Sequence, residues 1–111
     1  MSDERVMAVL TSAPSVAVAE RIGTALVEER LAACANLVPG VRSVFRWKGE
    51  IAREDEILVV LKTTAPRLEA LRRRLVELHP YEVPEMLALD VREGHPPYLA
   101  WVRAEVEAPV V

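Results

Sequence analysis

Four side chains able to handle protons or metal ions crowd one short stretch, "LHPYEVPEM" from Leu78 to Met86. They are His79, Tyr81, Glu82 and Glu85, set around Pro80 and Pro84. An imidazole beside carboxylates is a donor set that suits a borderline divalent ion such as copper or zinc. The same residues also describe a stiff connector, in which the prolines fix the backbone and His79 caps the last carbonyls of a preceding helix. The residue types leave both readings open. Cys34, the single cysteine, needs only spatial proximity to His79 to make an activated nucleophile. Its surroundings, "LAACANL", are apolar and fit a packed thiol instead. No HxxxH, CxxC, glycine-rich phosphate loop or Gly-x-Ser-x-Gly elbow occurs, so no motif names a reaction.

The elements that must position these groups fit one domain over residues 1–111. The chain has 111 residues, 51% hydrophobic and 28% charged, the balance of a single compact domain. So short a chain buries a modest share of its surface, which favours self-association. A net charge of −3 gives no field to attract a polyanion, so no nucleic-acid partner is expected. The one basic run, Arg72 to Arg74, fans around a helix as a solvated face. The start, "MSDERVMAVL", is acidic and lacks a signal-like basic region and long apolar core. No apolar stretch approaches the roughly 18 residues of a membrane span, so no membrane partner and a cytoplasmic location are expected. One cysteine allows no internal disulfide, which fits a reducing compartment.

Periodicity places a first strand over Val6 to Thr11, then Ser15 as the N-cap of a helix with an apolar stripe of Val18, Ile22, Ala25, Leu26 and Leu31. A second strand is expected after the Pro39-Gly40 kink, with Val41, Ser43, Phe45 and Trp47 on one side and Arg42 and Arg46 on the other. "WKGE" reads as the turn of a hairpin whose return arm holds "ILVVL". Pro66 opens a second helix with Leu68, Leu71, Leu75 and Leu78 on one face, and His79-Pro80 ends it. Alternating Leu87, Leu89 and Val91 give a last strand. A terminal helix from Pro96 carries Tyr98, Trp101, Val102 and Val106. The order is an α+β, ferredoxin-like split β-α-β-β-α-β sandwich with helices on one face, a long hairpin between its second and third strands, and a C-terminal helix.

Both tryptophans, Trp47 and Trp101, fall at the periphery of this plan, where a large ring needs a cover and a protein interface supplies one. The blocks "ERLAACANLVPGVRSVFRWKGEI", "ILVVLKT", "HPYEVPEML" and "YLAWV" occur in that order over nearly the whole chain. In them the sequence resembles the CutA family of divalent-cation tolerance proteins. The resemblance implies a tight homotrimer with hairpin arms packed on neighbours, an assembly similar to the PII signalling proteins. It also implies an inter-subunit cleft holding Trp47, Lys62, His79, Tyr81, Glu85, Tyr98 and Trp101, with a metal ion or small anion as its ligand.

For copper, the resemblance implies ligands at the positions of Thr11, Leu78 and His79, of which only His79 keeps a metal-binding side chain. A hydroxyl and a leucine do not replace a thiolate and an imidazole, so the expected copper site is weak or absent. The function implied is a non-enzymatic binding and signalling module. The alternatives are an enzyme using His79 as general base with Lys62 steering an anionic substrate, or a trimeric scaffold for another protein.

Overall fold

The computed structural model describes residues 4–107, so the first three residues of the acidic start and the last four of the expected 1–111 domain lie outside the described part. Its elements are β1 (Val6–Ala13), α1 (Val16–Glu28), β2 (Cys34–Trp47), β3 (Glu50–Thr64), α2 (Leu68–Leu78), β4 (Leu87–Asp90) and α3 (Pro96–Glu105). The four strands form one antiparallel sheet in the order β2-β3-β1-β4, which is the ferredoxin-like topology expected from the element order.

The first helix begins as its sequence dictates: the Ser15 hydroxyl accepts from the Val18 N–H at 3.2 Å. It ends earlier than the stripe suggested. Arg30 takes φ +58°, and the Arg30 and Leu31 N–H groups close onto the Val27 and Leu26 carbonyls, a Schellman ending without its usual glycine. Leu31 therefore reaches the core from beyond the helix, and Ala25 is only half-buried.

The second strand starts at Cys34 rather than after Gly40. Pro39 and Gly40 sit inside it, where the register slips between Val38 and Val41 and Gly40 has φ +82°. An edge strand tolerates this, because the N–H that proline lacks has no ladder partner there. At the far end Lys48 and Gly49 both have positive φ between the paired Trp47 and Glu50, the tight turn that matches strand twist. The β1–β3 pairing ends at Ala13 and Ile57, so residues 41–56 pair only with each other. This two-stranded arm stretches the molecule to 47 Å.

The core lies on one sheet face. Val9, Ala13, Val59 and Leu61 meet Ile22 and Leu26 of α1 and Leu71 and Leu75 of α2. By strand alternation Val6 belongs to the other face, where it packs with Ala33, Val102 and Val106. Helix α3 thus covers one end of the far face, and the helices are not all on one side. Among the described residues no helix covers the rest of that face: Leu87 and Leu89 of β4 remain 54% and 51% exposed, and Leu10, Leu58 and Val60 are half-buried.

One core group is out of place chemically. Thr11 is fully buried, and its hydroxyl has no hydrogen-bond partner among the described residues. Thr11→Val should raise the unfolding free energy by about 1 kcal/mol or more in urea melts, because an unpaired buried hydroxyl costs more than the methyl that replaces it. A lower stability would mean that the hydroxyl is bonded in solution.

Candidate functional site

His79 follows α2 because Pro80 forces the preceding residue into extended geometry, and its ψ of 135° reflects this. Its backbone N–H does cap the helix, donating to the Leu75 carbonyl at 3.0 Å. Its side chain does not. The ring turns inward, 7% exposed, and Nε2 lies 2.7 Å from the Ser12 carbonyl oxygen of β1. A carbonyl only accepts, so Nε2 carries the proton; Nδ1 then accepts from the Tyr81 N–H at 3.2 Å. Both ring nitrogens are engaged within the chain.

That bond sets Tyr81, whose ring stacks obliquely on the imidazole at 4.6 Å. The Tyr81 hydroxyl donates to Glu56 Oε2 at 2.6 Å, and Glu56 is almost buried. Burial pushes the Tyr81 phenol well above its ordinary value, and the Glu56 bond and charge push it further. The loop and the hairpin arm thereby enclose a cleft of about 770 Å³ walled by Phe45, Trp47 and Tyr81. Glu54, Glu56, Glu82 and Glu85 give it an acidic lining without lysine or arginine.

Tyr81→Phe should cost about 1–3 kcal/mol, since it strips a nearly buried carboxylate of its donor. A phenol whose folded pKa is raised contributes stability that is full below the unfolded value near 10 and is lost as pH rises past it. Denaturation at about pH 8 and about pH 11 should therefore show the wild-type advantage shrinking at the higher pH. An advantage independent of pH would dissociate Tyr81 from Glu56.

The remaining expected site residues gather elsewhere. Lys62 donates to Asn36 Oδ1, and its Nζ is 3.6 Å from Cys34 Sγ. The Tyr98 hydroxyl lies 3.7 Å from the same sulfur, and the Tyr98 and Trp101 rings are 5.7 Å apart. Cys34 is partly exposed at the start of β2, so it is not the buried packing thiol its apolar neighbours suggested. Asn36 escaped the sequence reading. Its signal, two residues after Cys34 and so on the same face, is legible only once β2 is known to start at Cys34.

Lys62 and Glu56 share β3 six residues apart, about 20 Å at strand rise. Register puts both groups on the face away from α1 and α2: Trp47 opposite Glu50, Ser43 opposite Glu54, Cys34 opposite Lys62. Between them that face carries Leu58 and Val60 with Leu10 and Leu87 alongside. One chain therefore holds an acidic aromatic cleft at one end, a cluster around the single Lys62 at the other, and an apolar floor between.

For divalent metals the geometry is plain. Among the described residues no three His, Cys, Asp or Glu side chains converge as a metal-binding group. Thr11 offers a buried hydroxyl, Leu78 offers no donor, and His79 has no free ring nitrogen. This set does not fit copper.

The sheet order, the long β2–β3 arm and the half-bare far face define a ferredoxin-like α+β protein with an extended hairpin. The family profile described as CutA1 divalent ion tolerance protein matches residues 7–105, and the chain belongs to that family. It is 50% identical over 95 residues to the divalent-cation tolerance protein CutA of Thermus thermophilus, covering 86% of this chain and 92% of that one. It is 44% identical over 103 residues to mouse protein CutA, covering 93% of this chain but 58% of the mouse protein's length. The crystal structure of CutA from Xylella fastidiosa superposes with a TM-score of 0.90 at 42% identity, over 96% of this chain and all of that one. A further structural relative, 32% identical with a TM-score of 0.89 over 92% of this chain and 99% of its own, is the CutA of Archaeoglobus fulgidus, described as periplasmic. No described helix of this chain is long and apolar enough to cross a membrane.

Proposed function

We propose that this divalent-cation tolerance protein acts as a homotrimeric, PII-like binding and signalling module whose inter-subunit clefts take a small ligand. The observation that carries this reading is the division of the expected site within one chain. Trp47, Tyr81 and Glu85 stand at the acidic end and Lys62, Tyr98 and Trp101 at the cationic end. Their charges are complementary, and among the described residues no element covers the apolar floor between them. Seating one chain's hairpin arm on its neighbour's floor would bring opposite ends together. The arm itself favours this, because a two-stranded ribbon is marginal in water without a partner.

In such a cleft Lys62 holds an anionic group, with the aromatic rings as walls. Copper fits the set Thr11, Leu78 and His79 poorly, so no step of the mechanism runs through a copper ion there. The enzyme reading is weaker for a related reason: His79 has no ring nitrogen free to act as general base. The scaffold reading makes the same trimer but needs no ligand. A single cysteine without a disulfide partner fits the cytoplasm.

The test is calorimetric titration of metal-free protein with copper, zinc and small dianions, with the mass in solution measured alongside and Lys62→Met as control. Saturable anion binding to a trimer, lost in Lys62→Met, is the expected outcome. An intact trimer that binds nothing leaves the scaffold reading, and a monomer overturns the cleft.

A further inference from the structure

The cluster at the cationic end has more chemistry than anion binding requires. Cys34 and Lys62 are directly opposed on β2 and β3, so their side chains rise side by side from the same face. The ammonium meets a sulfur at 3.6 Å and an amide oxygen of Asn36; neither partner is a carboxylate. Asn36 thus holds Nζ in place while Nζ faces Sγ. A nucleophile, a charged group that activates it and a third group that orients the activator form the general pattern of an activated nucleophile. An ammonium beside a sulfur offsets the negative charge the sulfur carries when it attacks.

Tyr98 adds the complementary part. Tyr98 is 40% exposed; partial desolvation, and then the neighbouring Cys34, hold its phenol above the ordinary value. It therefore remains a protonated donor at neutral pH, 3.7 Å from the sulfur.

We propose that Cys34 is a hydroperoxide-reactive thiol, activated by Lys62 and supplied with a proton by Tyr98. The thiol first releases its proton to solvent. The thiolate sulfur then attacks the terminal oxygen of a hydroperoxide; the S–O bond forms as the O–O bond breaks. The sulfur loses two electrons and becomes a sulfenic acid, while the peroxide is reduced. The departing alkoxide, or hydroxide from hydrogen peroxide, takes the Tyr98 proton and leaves as alcohol or water, and solvent restores the phenol. With one cysteine in the chain, the sulfenic acid has no second thiol of its own chain to close a disulfide with. Its new oxygen lies beside Nζ and occupies the ammonium on which the proposed anion site depends. Only this last consequence, a redox control of ligand binding, rests on the cleft reading.

The test uses the whole protein and hydrogen peroxide, with the sulfenic acid trapped by dimedone and read by intact mass. Wild type, Lys62→Met, Asn36→Ala and Tyr98→Phe are compared, with Cys34→Ser as the blank and glutathione as an unactivated thiol. The expected result is a rate above that of glutathione which falls about tenfold or more in Lys62→Met and by less in Asn36→Ala. A rate no higher than that of glutathione overturns the proposal, as does one unchanged in Lys62→Met. Should Lys62→Met not fold, Asn36→Ala and the glutathione comparison decide the question. Anion titration of the reduced protein separates the two ideas, because the cleft reading fails there without touching the peroxide rate.

Discussion

If the chain assembles as the proposed homotrimer, Leu87→Asp combined with Leu89→Asp should leave it monomeric with the fold of each chain intact. Both leucines stand on β4, a four-residue edge strand, and both are about half exposed. Neither contributes to the core beneath α1 and α2, so the circular dichroism of the variant should match wild type. In the assembly they would lie under a neighbour's hairpin arm. Leu87 shares its row with Leu10 and Val60, so a carboxylate there is buried with no basic group among those neighbours, and burying an unpaired charge costs several kcal/mol after relaxation. A trimer repeats that penalty three times. Light scattering over a concentration series measures the effect directly. Trp47→Ala, at the arm's tip and 43% exposed, should weaken the same contact by roughly 2 kcal/mol or more per subunit, as interface aromatics do. A double aspartate variant that remains trimeric would place the interface elsewhere and would remove the argument for a composite cleft.

The second large effect is expected at His79. His79→Ala deletes a nearly buried ring together with bonds to the Ser12 carbonyl and the Tyr81 N–H. Each orphaned group costs about 1–3 kcal/mol if it stays dry, so a loss of about 2–4 kcal/mol is expected in chelator-treated protein. Tyr81 should loosen with it, since the imidazole sets the path of the loop toward Glu56. This bears on any metal experiment. Metal binding that disappears in His79→Ala does not identify a ligand, because the loop that carries Glu82 and Glu85 loses its anchor in the same step. The two roles separate in thermal melts: an anchor lowers the melting temperature without metal, whereas a ligand changes only the increment that metal adds. If the metal-free melts coincide, the anchoring role is wrong.

Much of this architecture was legible in the chain. Ser15 caps its helix, the Leu71 and Leu75 pair faces the core, and Lys48-Gly49 makes the turn between the long arms. Each of these depends on neighbours within a few residues, and periods of 3.6 and 2 report on those. The misplacements have a common cause. Arg30 in a left-handed conformation, the bulge at Pro39-Gly40 and α3 on the far face are positions where tertiary packing overrides what a local signal forbids or leaves open.

The sequence by itself determined the order of elements, the ferredoxin-like topology and, through its ordered blocks, the family. It also named most of the residues that line the two ends of the far face. Only the tertiary structure decided how those residues are grouped. Ser12 and His79 are 67 residues apart, Tyr98 and Cys34 are 64 apart, and Lys62 and Asn36 are 26 apart. Such pairs are made by strand register and by the seating of a helix on a sheet, and neither leaves a periodic trace in the residues involved. That is why the stretch "LHPYEVPEM" admits both a connector and a metal site in the sequence. In the folded chain its histidine is spent on holding β1 and Tyr81 together.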